Sequence, residues 1–135
     1  MASTSCRKVP TGRFILWQIL SQDLLYPHFQ PIVDLRSGEL IGYEALIRGP
    51  EDSPLHSPAE LFRTAIDLGQ LHTLELSCRR LSLQRFAELE LGGELFLNVS
   101  ASLLESPEHR KGLTSELLSE LGIPQDSIVI ELSEQ

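Results

Sequence analysis

Apolar positions fall into two short runs, Tyr26 to Leu35 and Leu40 to Ile47, separated by Ser37-Gly38. Their lengths and the turn residues between them predict an antiparallel hairpin. Pro31 inside the first run predicts an edge or irregular position, because proline cannot donate to a ladder. Upstream, Phe14, Trp17 and Leu20 to Leu24 recur close to helical spacing and predict a helix over 13–25, after a disordered leader at 1–12. Downstream, a polar loop runs from Gly49 to His56. Ser57-Pro58-Ala59-Glu60 then combines a capping serine, a proline at the first helical position and a glutamate at the third. That helix should reach Leu68 and stop at Gly69. Another should run to about Leu91, with Leu74, Cys78 and Leu81 on one stripe and Gly92-Gly93 ending it.

The remaining pattern is strand, helix, strand. Glu94 to Val99 reads as a strand with Leu95, Leu97 and Val99 on one face and Phe96 and Asn98 on the other. A helix from roughly Lys111 to Leu121 closes at Gly122 and Pro124. Ser127 to Leu132 is the fourth strand, with Ile128, Ile130 and Leu132 sharing one face and Val129 and Glu131 the other. The crossover lengths fit parallel βα units. Strands apolar on both faces until one polar residue near the C-terminal end suit an α/β barrel, with one face under helices and chemistry at the mouth. No helix follows the fourth strand to cover it and no strand follows to pair with it. An open parallel edge is aggregation-prone, so residues 13–135 are expected to be the N-terminal part of a larger domain. Homodimerisation or strand swapping would protect the edge.

Composition narrows the partners. The chain has 135 residues, 41% apolar, and a formal net charge of −8. One domain with its own core is within reach of this length. The negative charge argues against a polynucleotide partner, but it leaves room for a small phosphorylated ligand held through metal ions. Cys6 and Cys78 form no motif and read as idle thiols. The run from Phe14 to Leu20 is broken by Gln18, is too short to cross a bilayer, and precedes no small-residue cleavage site. The expectation is a cytoplasmic protein with no membrane contact from this segment.

The most informative stretch is Tyr43-Glu44-Ala45-Leu46-Ile47-Arg48. On a strand, Glu44, Leu46 and Arg48 share a face and Tyr43, Ala45 and Ile47 take the other. Glu44, Asn98 and Glu131 thus stand near the ends of three strands. Carboxylates and an amide carbonyl suit Mg²⁺ or Mn²⁺, and the lack of histidine or thiolate argues against structural zinc. Arg48 suits a bidentate clamp on a phosphate. Gln30 suits amide hydrogen bonds to a base or ribose. The same residues also fit strand-end caps and loop hydrogen bonds. An acid pair of Glu44 and Glu131 for glycoside hydrolysis would leave Arg48 and Asn98 without a common role.

Four ordered segments carry a resemblance. They are Phe29-Gln30-Pro31-Ile32-Val33-Asp34, Gly42-Tyr43-Glu44-Ala45-Leu46-Ile47-Arg48, Phe96-Leu97-Asn98-Val99-Ser100 and Val129-Ile130-Glu131-Leu132-Ser133-Glu134. Together they resemble the EAL-domain family, the cyclic-di-GMP phosphodiesterases of bacterial signalling. The resemblance runs from about residue 14 to the end and covers about the first half of the family domain. It implies a partial (β/α)8 TIM-like barrel of the EAL type, its first strand antiparallel and the chain truncated after about the fourth strand. It implies Mg²⁺- or Mn²⁺-dependent hydrolysis of cyclic-di-GMP to linear pGpG. Glu44, Asn98 and Glu131 match the family's metal ligands, with Glu44 the catalytic one. Arg48 and Leu46 match substrate-contacting positions, and Gln30 matches a position near the ligand. Ser133 stands where threonine is commoner, and Glu134 is a candidate loop-anchoring acid. The family's Asp-Asp pair, lysine and later glutamate have no counterparts here, so the 135-residue chain alone is expected to be inactive. The alternative is a receptor that binds cyclic-di-GMP without cleaving it. His28, His56, His72 and His109 match no site position, and Glu88-Leu89-Glu90 reads as a solvated helix face.

Overall fold

The computed structural model describes residues 11–105 and 113–133. Residues 1–10 of the expected leader, His109 and Glu134 lie outside the described residues, while Thr11 and Gly12, also expected in the leader, cap and begin the first helix. Four strands form one sheet: β1 (Tyr26–Val33), β2 (Leu40–Arg48), β3 (Glu94–Ser100) and β4 (Ile128–Ser133), in spatial order β1-β2-β3-β4. β1 runs antiparallel to β2, while β2, β3 and β4 are parallel. Five helices accompany them: α1 (Gly12–Ser21), α2 (Pro58–Asp67), α3 (Leu71–Leu89), α4 (Ala101–Glu105) and α5 (Leu113–Leu121).

The hairpin forms where the pattern places it. Asp34 closes its turn, accepting the Arg36 and Ser37 amides at 2.7 and 3.1 Å. These backbone donors hold the Asp34 carboxyl below its ordinary pKa. β1 is an edge strand, as Pro31 requires. Pro27 has the same parity, so both nitrogens without hydrogen turn away from β2 and leave the outer edge short of donors.

The first helix differs from its sequence reading in extent and in face. It ends at Ser21 rather than 25, because the chain must turn into β1. Asp23 makes that turn at φ 51°, and its carboxylate takes a 2.7 Å hydrogen bond from Arg80 of α3. Leu16 and Ile19 face the core, whereas Phe14 and Trp17 lie on the solvent side with ring centroids 6.0 Å apart. α2 starts as its sequence dictates, with the Ser57 hydroxyl accepting the Glu60 amide at 3.2 Å. The Glu60 carboxylate pairs with Arg63 one turn on.

Helices cover one sheet face. Leu83 and Phe86 of α3 and Leu118 of α5 pack on Ala45, Leu95 and Leu97. A second group, Leu16, Ile19, Leu61, Ala65 and Leu74, closes over Ile47. Each leucine, isoleucine or phenylalanine among them contributes roughly 1.5–3 kcal/mol on burial. β4 is the other edge of the sheet, and Ile130 and Leu132 on its helix-side face remain 43% and 64% exposed. The opposite face of the sheet carries Gln30, Glu44, Leu46, Arg48, Phe96 and Asn98, none of them fully buried.

Gly42 brings β2 and β3 together. A Cβ there would stand 1.9 Å from the Glu94 carbonyl oxygen. The β2–β3 ladder is short: it pairs Gly42 with Glu94, Tyr43 with Leu95 and Glu44 with Phe96, and then the strands part.

Candidate cation and phosphate site

The uncovered face gathers the sequence-predicted residues at the C-terminal ends of the parallel strands. Asn98 Nδ2 donates to Glu44 Oε2 at 3.1 Å, which joins β3 to β2 just past the end of their ladder. Glu131 is the direct register partner of Asn98 on β4. Gln30 stands opposite Glu44 on β1, His28 opposite Leu46, and Tyr26 opposite Arg48. Glu44, Leu46 and Arg48 are half-buried, while Gln30, Asn98 and Glu131 are exposed. Arg48 lies four residues beyond Glu44, about 13 Å along the strand, at the rim of the sheet. Among the described residues it makes no ion pair.

The donor set decides which cation fits. Among the described residues no three His, Cys, Asp or Glu side chains cluster, so a closed zinc centre has no candidate ligands. Two carboxylates and one amide around an open face fit a hard cation that keeps water in its shell. One Nδ2 hydrogen of Asn98 goes to Glu44, which leaves its carbonyl oxygen for a cation.

Where β2 and β3 part, a cavity of about 370 Å³ opens, lined by Leu46, Asn98, Phe62, Glu75, Arg79 and Ser133. The polar residues on its helix side were missed in the sequence. α3 was read there only through its apolar stripe, of which Leu74 is buried and Cys78 and Leu81 are half-buried. The same helix buries Glu75, Arg79 and Ser82. The signal was present in the spacing of His72, Glu75 and Arg79, which places them on one helical face. Cys78 lies in this region as an idle thiol: burial first, and the nearby Glu75 charge second, push it up to about 12.

A parallel sheet with one antiparallel edge strand and helices on one face is the arrangement of part of a β/α barrel. The EAL domain family model matches residues 15–135, and the chain belongs to that family. Similar solved structures include the EAL domain of FimX from Pseudomonas aeruginosa bound to c-di-GMP, at 26% identity and TM-score 0.72, covering 91% of this chain and 50% of that one. The Xanthomonas citri FimX EAL domain in complex with c-di-GMP shares the fold at 19% identity and TM-score 0.75, covering 91% of this chain and 49% of that one. Klebsiella pneumoniae BlrP1 in its manganese/cyclic-di-GMP complex is 26% identical with TM-score 0.67, covering 81% of this chain and 27% of that one. The chain thus spans about half the length of the FimX domains. No curated protein matches it.

Proposed function

We propose that this chain supplies part of the active site of a metal-dependent cyclic-di-GMP phosphodiesterase that forms linear pGpG in bacterial second-messenger signalling. The observation that carries the reading is the Asn98–Glu44 hydrogen bond at 3.1 Å on the uncovered sheet face, with Glu131 in register beside Asn98. Glu44, Asn98 and Glu131 would hold Mg²⁺ or Mn²⁺. Such a cation, when bound, polarises a phosphoryl oxygen and lowers the pKa of coordinated water.

The chain's own residues bind and orient the ligand. Arg48 offers a planar fork of donors to a phosphate. Glu44 and Arg48 share one strand face, so a single ligand lying along β2 can meet both. Leu46, between them on the same face, offers an apolar contact, and Gln30 offers amide hydrogen bonds from β1. Membership of the EAL family supports the ligand, as do structures of FimX and BlrP1 that contain it. No helix among the described residues is long and apolar enough to cross a membrane.

The second reading is a receptor that holds cyclic-di-GMP without cleaving it, favoured by the FimX EAL domain bound to that nucleotide. Turnover of cyclic-di-GMP in Mn²⁺ by the protein carrying the whole domain, followed by chromatography of linear pGpG, separates the two. The enzyme reading expects product, and a loss of orders of magnitude in Glu44→Ala. An unchanged rate in Glu44→Ala would remove Glu44 from the site. Binding without product would leave the receptor.

A further inference from the structure

The end of β3 is the least supported part of the site on its β2 side. Its ladder to β2 stops at Phe96, two residues before Asn98, and the cavity lies where the ladder would continue. What holds this strand end is a buried polar cluster on α3. Ser100, the last residue of β3, is fully buried, and its hydroxyl donates to Glu75 Oε2 at 2.7 Å. Ser100 Oγ also accepts the Leu103 amide at 3.2 Å and so caps α4, a short helix without a signal in the apolar pattern. Ser102 Oγ lies 3.2 Å from Ser100 Oγ and 3.3 Å from His72 Nε2. One turn along α3 from Glu75, Arg79 donates to Thr114 Oγ1 of α5 at 2.7 Å. Burial lowers the Arg79 pKa, and the Glu75 charge opposes that shift.

Stability is a poor reason to keep such a cluster. Glu75 is 8% exposed and Arg79 7%. Replacing both members of a buried charged pair by well-packed apolar residues of similar volume is often neutral or stabilising. Position is the better reason, because Glu75 reaches the strand two residues from Asn98. We infer that Glu75 is a positioning residue for the cation site: through Ser100 it fixes the end of β3 and the first turn of α4, and so holds Asn98 against Glu44. The inference rests on reading Glu44, Asn98 and Glu131 as cation ligands.

The experiment is a Mn²⁺ titration of the chain, followed by the paramagnetic resonance signal of free Mn²⁺, with thermal unfolding of each variant alongside. Glu44→Ala is the control for the cation site itself. Glu75→Met leaves the buried Arg79 without its nearby carboxylate and should lower the melting temperature, yet at a temperature where it is still folded it should weaken Mn²⁺ binding roughly tenfold or more, the usual size of an outer-shell loss. Ser100→Ala, a smaller change, should weaken it similarly. Glu75→Gln keeps an acceptor for the Ser100 hydroxyl and should retain most of the affinity. Wild-type affinity in both Glu75→Met and Ser100→Ala, with binding lost in Glu44→Ala, would overturn the positioning role and leave the cation site standing. Weakening that merely follows the unfolded fraction would also overturn it, as would Glu75→Gln behaving like Glu75→Met. Absence of Mn²⁺ binding by the wild-type chain would overturn the cation reading, and this inference with it.

Discussion

Gly42→Ala is expected to damage the fold and the site together. The added Cβ would meet the Glu94 carbonyl oxygen at 1.9 Å, whereas ordinary contact begins at 3.4 Å, so β2 and β3 must separate locally by 1.5 Å (3.4 − 1.9). Overpacking of this kind costs roughly 1–3 kcal/mol. The backbone of Glu94 cannot give way as a flexible side chain could, which favours the upper half of that range. At about 4 °C per kcal/mol for a domain of this size, the melting temperature should fall by roughly 8–12 °C. The Glu44–Asn98 hydrogen bond, now 3.1 Å, lies just past the displaced ladder. A matching shift would stretch it to about 4.6 Å, beyond hydrogen-bonding range, and Mn²⁺ affinity should fall with it. Gly92→Ala is the control, since nothing lies within 4 Å of a Cβ there. It should leave stability unchanged or raise it slightly, because alanine narrows the unfolded ensemble. Thermal unfolding by circular dichroism and a Mn²⁺ titration of both variants check the reasoning. A melting temperature for Gly42→Ala within about 2 °C of wild type, roughly half a kcal/mol, would refute it.

Two further outcomes follow from the site and the core. Arg48→Lys should weaken cyclic-di-GMP binding about tenfold, because an ammonium cannot reproduce a bidentate fork, while leaving Mn²⁺ affinity at Glu44 unchanged; calorimetric titration of each ligand checks both halves. The Cys78 thiol titrates near 12 in the folded chain against an ordinary 9.0. Above pH 9 the unfolded chain therefore loses a proton that the folded chain keeps. Stability should fall as pH rises through that window, by up to about 1.4 kcal/mol per unit, and stop falling from this cause once the folded thiol ionises. Urea unfolding between pH 8 and 11 should show a shallower slope in Cys78→Ala, and equal slopes would count against the burial of the thiol.

Different parts of the structure were legible in the sequence to different degrees, for physical reasons. Local signals were strong where one residue type has one use. Ser57-Pro58 fixes a helix start, and Pro27 and Pro31 fit only an edge strand. Alternation along Leu40–Arg48 assigned faces because a strand has only two, and Ala45 and Ile47 went under the helices as expected. α1 was harder. Aromatic side chains drew the apolar stripe toward Phe14 and Trp17, although Leu16 and Ile19 fill the core and the two rings stack on each other outside. On α3 the burial of Glu75 and Arg79 follows from the positions of β3 and α5, which no local window contains. The short helix Ala101–Glu105 escaped because five residues carry no periodicity. Glu44, Asn98 and Glu131 were proposed from strand ends alone. Glu44 reaches Asn98 through a β2–β3 register that three ladder pairs and one glycine establish, and Glu131 lines up with Asn98 through the six pairs of the β3–β4 ladder.

Cation binding by Glu44, Asn98 and Glu131 is tested most directly by crystals of the chain grown with Mn²⁺ and cyclic-di-GMP, measured at the manganese absorption edge. An anomalous peak should appear bordered by the Glu44 and Glu131 carboxylates and the Asn98 amide oxygen, with a ligand phosphate beside it. No peak there at saturating Mn²⁺, or a peak held by other residues, would contradict it.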